Sequence, residues 1–87
     1  MELEMSGASI IVRAMWDSEA GVWVATSGDV PGLVAEAETP NDLMRKLQAL
    51  IPELLEENEA LKGGEFMEVP LYVMSEQLSK VRVRSNA

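Results

Sequence analysis

The chain has 87 residues, with fifteen acidic and seven basic side chains, no histidine and no cysteine, for a net charge of −8. That excludes disulfides and the usual zinc ligand sets, makes one domain the natural count, and opposes bulk attraction to phosphate backbones. A domain this short buries only roughly 60–65% of the surface that its unfolded chain exposes, so self-association is the expected source of added stability and a homo-oligomer is expected.

The first seven residues are acidic and polar, unlike the basic start of a secretory signal. No apolar run approaches the roughly 20 residues needed to cross a bilayer, so a cytoplasmic protein with no membrane partner is expected.

Residues 9–16, Ser-Ile-Ile-Val-Arg-Ala-Met-Trp, read as a strand. Ile10, Val12, Ala14 and Trp16 share one face, and Ile11, Arg13 and Met15 the other. Asp17-Ser18-Glu19-Ala20-Gly21 supplies turn residues, and residues 22–27 return as the second arm of a β-hairpin. In the next break, Pro31-Gly32 suits the centre of a type II turn. Residues 33–38 then alternate, with Leu33, Ala35 and Ala37 facing in and Val34, Glu36 and Glu38 facing out.

Thr39-Pro40-Asn41-Asp42 is a helix start. Thr39 can cap free amides, Pro40 suits the first helical position, and Asp42 favours the positive end. From Leu43 the period is helical: Leu43, Met44, Leu47, Leu50, Ile51, Leu54, Leu55 and Leu61 form one apolar stripe. Pro52 lies on the polar face, where the carbonyl it frees can bind water, so the helix is predicted to curve there rather than break. Lys62-Gly63-Gly64 is its predicted stop.

Residues 65–74 read as a fourth strand, with Met67, Val69, Leu71 and Val73 on one face. Pro70 cannot donate to a ladder, so one side of this strand should be a sheet edge or a bulge. A polar connector over 75–79 leads to Lys80-Val81-Arg82-Val83-Arg84, which alternates basic and apolar residues. The prediction is an α+β domain over 1–87, with a core at 9–74 and a tail at 75–87. Its order is β-β-β-α-β: a small antiparallel sheet with a possible extra C-terminal strand, one helix packed on one face, and the fourth strand added at an edge.

Several of these words together resemble a known family. Ile11-Val12-Arg13-Ala14, Trp16-Asp17 and Gly21-Val22-Trp23-Val24-Ala25-Thr26-Ser27 resemble the first hairpin of HicB-like domains. Val30-Pro31-Gly32-Leu33 resembles the turn that opens their third strand, and Glu36-Ala37-Glu38-Thr39 the entry to their helix. Leu50-Ile51-Pro52-Glu53-Leu54-Leu55 resembles a short, single-domain HicB-like branch of unknown function. The resemblance spans about residues 9–74. It implies a degraded ribonuclease-H-like sheet without a catalytic set, and an antitoxin that docks on HicA, a small basic ribonuclease toxin. Relatives that also bind DNA carry a further C-terminal domain. Thirteen residues follow Met74 here, too few for one, so direct nucleic-acid binding is not expected.

Candidate sites follow from the same residues. Without histidine or cysteine, the common nucleophile–base arrangements are missing. Asp17, Glu19, Asp29, Glu36 and Glu38 can be read as relics of a metal set, or as ordinary turn and surface acids. No catalytic residue, cofactor or metal site is assigned. The outward sheet face is the candidate partner-binding surface, carried by Val34, Glu36 and Glu38. On the hairpin, alternation leaves the joining set open, and one option is Ile11, Arg13 and Met15 with Trp23 and Ala25. The other is that Trp16 and Trp23 are both core, although only one easily shares the helix side. Glu53, Glu56, Glu57 and Glu59 line the solvent side of the helix and can imitate phosphates or be plain solvated acids. Leu71, Val73, Val81, Arg82, Val83 and Arg84 are the candidate oligomer edge, with phosphate contact by Lys80, Arg82 and Arg84 as the rival use. The expected function is a non-catalytic binding domain for a small basic partner such as a HicA-like toxin. The alternatives are a residual metal-dependent nuclease and a structural homo-oligomer without a toxin.

Overall fold

The computed structural model of the protein describes residues 9–57 and 68–85. Its elements are strands β1 (Ile10–Asp17), β2 (Val22–Thr26) and β3 (Val34–Ala37), helix α1 (Pro40–Glu57) and strand β4 (Leu71–Glu76). The four strands form one sheet in the order β3-β2-β1-β4. This is the α+β arrangement expected, with one helix on a small sheet.

Turn chemistry sets the first three strands antiparallel. Gly21 closes the hairpin at φ 69°, its amide donating to the Asp17 carbonyl at 2.8 Å. The second turn has Gly32 at φ 81° and the Leu33 amide donating to the Val30 carbonyl at 3.2 Å. With Pro31 before it, this is the type II turn the sequence predicts.

The helix begins as its capping residues require. The Asp42 amide donates to Thr39 Oγ1 at 3.1 Å, and the Leu43 amide to the Thr39 carbonyl at 2.9 Å. Leu43, Leu47, Ile51 and Leu55 are buried at four-residue spacing, and Leu50 and Leu54 pack beside them. The helix runs on through Pro52, which is exposed. The stop at 62–64, the stripe's last leucine at 61, the acid at 59 and the fourth strand's predicted start at 65–67 lie outside the described residues.

The sheet departs from an all-antiparallel one at its last strand. β4 runs parallel to β1. After β3 the helix carries the chain back along the sheet, so the next strand enters from the same end as β1 and β3. Pro70 stands one position before β4, outside it. Residues 68–70 of the expected strand therefore lie outside it and β4 runs on to Glu76, while the Pro70 carbonyl accepts from the Ile10 amide at 2.9 Å. β4 is an edge by its place in the sheet order, not by a proline within it.

The core lies between the helix and one sheet face. Ile10, Val12 and Ala14 of β1, Ala25 of β2 and Ala35 and Ala37 of β3 are buried there, with Val30 and Leu33 from the loop. The register aligns Ala14 with Ala25 and Ala25 with Ala35. This alanine row gives the helix a shallow trough, and α1 lies over β2 and β3. No extra strand forms at 80–84: residues 77–85 have no secondary structure and are exposed throughout. A segment running straight out of an edge strand has no neighbour in its own sheet to pair with.

Candidate protein-binding surface

The face of the sheet away from the helix is built by alternation. β1 places Ile11, Arg13 and Met15 there, β2 Val24 and Thr26, and β3 Val34 and Glu36. β4 adds Tyr72, Met74 and Glu76. Register sets them in rows: Val34, Thr26, Arg13 and Met74 in one, and Glu36, Val24, Met15 and Glu76 in the next. Ile11 faces Tyr72. Five of these large apolar side chains, Ile11, Met15, Val34, Tyr72 and Met74, are 44–63% exposed. Among the described residues, nothing covers this face.

Of the candidate binding residues, Ile11, Arg13, Met15, Val34 and Glu36 stand on this surface. Arg13 donates from Nε to Glu76 Oε1 at 2.9 Å and also pairs with it through a terminal nitrogen. Both side chains are largely exposed, so the pair orients the guanidinium and adds little stability.

Three candidates, Trp23, Ala25 and Glu38, fall elsewhere. Trp23 faces the helix side, directly opposite Trp16, and packs against the core. The two rings lie 5.4 Å apart with their planes at 60°. The expectation that only one tryptophan easily shares that side fails because antiparallel pairing puts opposed residues on one face. Ala25 is buried on the same side. Glu38 lies one residue past β3 and, with Glu36, Asp42, Arg45 and Lys46, lines an open cleft beside the start of α1. Arg45 and Thr39, bonded to the Asp42 side chain, hold its carboxyl below the usual carboxylate range. Lys46 Nζ donates to the Glu36 carbonyl at 2.6 Å.

Tyr72, Met74 and Glu76 were absent from the candidate set. The alternation of residues 71–74 signals Tyr72 and Met74, but its meaning depends on β4 lying beside β1. Glu76 falls in the stretch 75–79 expected as a connector, which β4 enters as far as Glu76.

Two of the five acids read as possible metal relics, Asp17 and Asp29, bond the local backbone through their side chains. Asp17 Oδ1 accepts from the amides of Glu19 and Ala20 and shapes the hairpin turn. Asp29 Oδ2 accepts from the Ile11 amide at 2.9 Å, while Ser27 Oγ donates to the Ile11 carbonyl at 2.6 Å. These two side chains replace ladder bonds at the start of β1, beyond the last β1–β2 pair at Arg13 and Thr26. Among the described residues, no three acidic, histidine or cysteine side chains gather as a metal ion would need. No helix among them is long and apolar enough to cross a membrane.

A family model described as a domain of unknown function, DUF1902, matches residues 9–85. The chain belongs to the DUF1902 family. The match takes in the whole sheet, the helix and the segment that follows β4. A DUF1902 chain of this kind is similar to a hypothetical protein of the extremely thermophilic bacterium Thermus thermophilus. The two share 43% identity over 87% of this chain and 100% of that one, and the crystal structure of the relative agrees with a TM-score of 0.61. No curated protein matches this DUF1902 domain.

Proposed function

We propose that this DUF1902 domain is a non-catalytic protein-binding module that docks through the bare face of its sheet. The observation that carries this reading is the cluster of exposed Ile11, Met15, Val34, Tyr72 and Met74 on one rigid, pleated surface. Contiguous apolar side chains left open on a folded domain are the usual mark of a contact surface. Glu36 and Glu76 interrupt the apolar rows, and the chain carries −8 overall. That charge favours a basic partner and speeds its encounter. The resemblance of the hairpin, turn and helix words to HicB-like domains makes a HicA-like toxin the first partner to test.

The test is calorimetric titration with a purified HicA-like protein, the basic chain encoded beside this one where such a neighbour exists. Binding is expected, and Val34→Asp and Tyr72→Ala should each weaken it by at least about tenfold, or about 1.4 kcal/mol. Absence of binding by the wild-type chain would remove the toxin as partner. Magnesium-dependent RNA cleavage lost in Asp17→Asn or Glu36→Gln would replace the binding reading with a nuclease.

A further inference from the structure

Beyond β4 the chain stops burying side chains. Leu78, Val81 and Val83 are 89%, 83% and 78% exposed. Two of these apolar residues alternate with Lys80, Arg82 and Arg84 at the period of a strand, yet among the described residues no strand of the same chain pairs with them. Charge is divided at the same point. Three of the seven basic residues follow Glu76, and none of the fifteen acidic ones does. The arm is positive, and the body it leaves is strongly negative.

The two sheet edges are unequal as acceptors. β3 has four residues, and Lys46 already occupies its Glu36 carbonyl. Short edges tied to a lysine are poor templates for pairing. β4 has six residues, and no strand pairs with its outer edge among the described residues. Because α1 lies over β2 and β3, Leu71 and Val73 on the helix side of β4 stay only half-buried.

We propose that residues 77–85 of one copy pair as a strand with the open edge of β4 in a second copy, reciprocally, joining two sheets into one. The occupant is a second copy because the same chain carries both the positive arm and the negative body. The arm continues directly from β4, so reciprocal exchange makes residues 71–85 of the two copies an antiparallel ribbon about a twofold axis close to Leu78. A twofold axis normal to a sheet makes facing residues both even or both odd. Val81 and Val83 then fall on the helix side, beside Leu71 and Val73, and extend the cover those residues lack. Lys80, Arg82 and Arg84 fall on the face of Tyr72, Met74 and Glu76. With the axis on Leu78, Lys80 faces Glu76 and Arg84 faces Tyr72, an ion pair and a cation–π contact. This proposal does not rest on the docking reading: backbone pairing at the sheet edge carries it, and it meets the open face only at Tyr72 and Glu76 on β4.

Sedimentation equilibrium of the full chain tests it. The wild type is expected at about twice the 9.5 kDa of one chain. The double variant Arg82→Pro, Val83→Pro is expected at the mass of a single chain, with the far-ultraviolet spectrum of the fold kept. Adjacent prolines are needed because alternate residues point their amides to opposite sides of a strand. Leu78→Cys, in a chain with no other cysteine, reads the arrangement without disturbing it. Mild oxidation should link it across the axis as a covalent dimer, while Val34→Cys on the far edge stays unlinked. A monomeric wild type, a proline variant that remains dimeric, or a Leu78→Cys chain that fails to link would each overturn the proposal.

Discussion

At the scale of single residues, the turn at Pro31-Gly32 shows most directly how local chemistry becomes geometry. Gly32 holds φ at 81°, where a side chain is strained, and a Cβ added there would meet nothing nearer than Leu54 Cδ2 at 3.9 Å. Its cost is therefore conformational rather than steric. Gly32→Ala is expected to destabilise the domain by about 1 kcal/mol in urea unfolding. Gly28→Ala, where the backbone is ordinary and the space open, should change stability by less than about 0.5 kcal/mol. The hairpin acids are residue-level too. Asp17 and Asp29 each accept backbone amides, which accounts for carboxylates at those positions without any chemistry. Residue type alone left that use and a metal relic side by side, because a carboxylate serves both.

At the scale of elements, the packing of α1 depends on the smallness of what lies beneath it. Ala14, Ala25 and Ala35 align across three strands and leave room for the leucine stripe. Ala25→Leu should push the helix from its trough and cost about 1–3 kcal/mol, read by urea denaturation. Thr26→Leu, one residue on and facing away from the helix, should be nearly neutral. The contrast checks the assignment of faces on β2. That assignment was legible on β1, where Ile10, Val12 and Ala14 alternate with Ile11, Arg13 and Met15, and on β3, where alanine alternates with glutamate. It was not legible on β2. Val22-Trp23-Val24-Ala25 is apolar on both faces, so no period-two signal separates them, and only the register with β1 decides that Trp23 and Ala25 turn toward the helix.

At the scale of the molecule, folding and association are coupled if the arms exchange as inferred. A species that is dimeric only when folded gains stability with protein concentration. The melting temperature of the wild-type chain should therefore rise as concentration is raised. That of the Arg82→Pro, Val83→Pro variant should not, by calorimetry or circular dichroism over the same range. A strand added at an edge lengthens the sheet, so the exchange extends the open face and sets Lys80 and Arg84 of the second copy beside Glu76 and Tyr72 at its margin, while Ile11, Met15 and Val34 stay uncovered. One dimer would thus present two docking faces on a continuous surface.

Local spacing in the sequence determined the element order, both glycine turns, the Thr39 cap and the buried stripe of α1. Each depends on residues within a few positions of one another, where period and turn chemistry act directly. Tertiary structure alone decided that β4 lies parallel beside β1, that both tryptophans share the helix side, and that Tyr72, Met74 and Glu76 complete the open face. Those outcomes depend on which distant strands become neighbours, and a strand's alternation states that it has two faces without stating which one the helix covers.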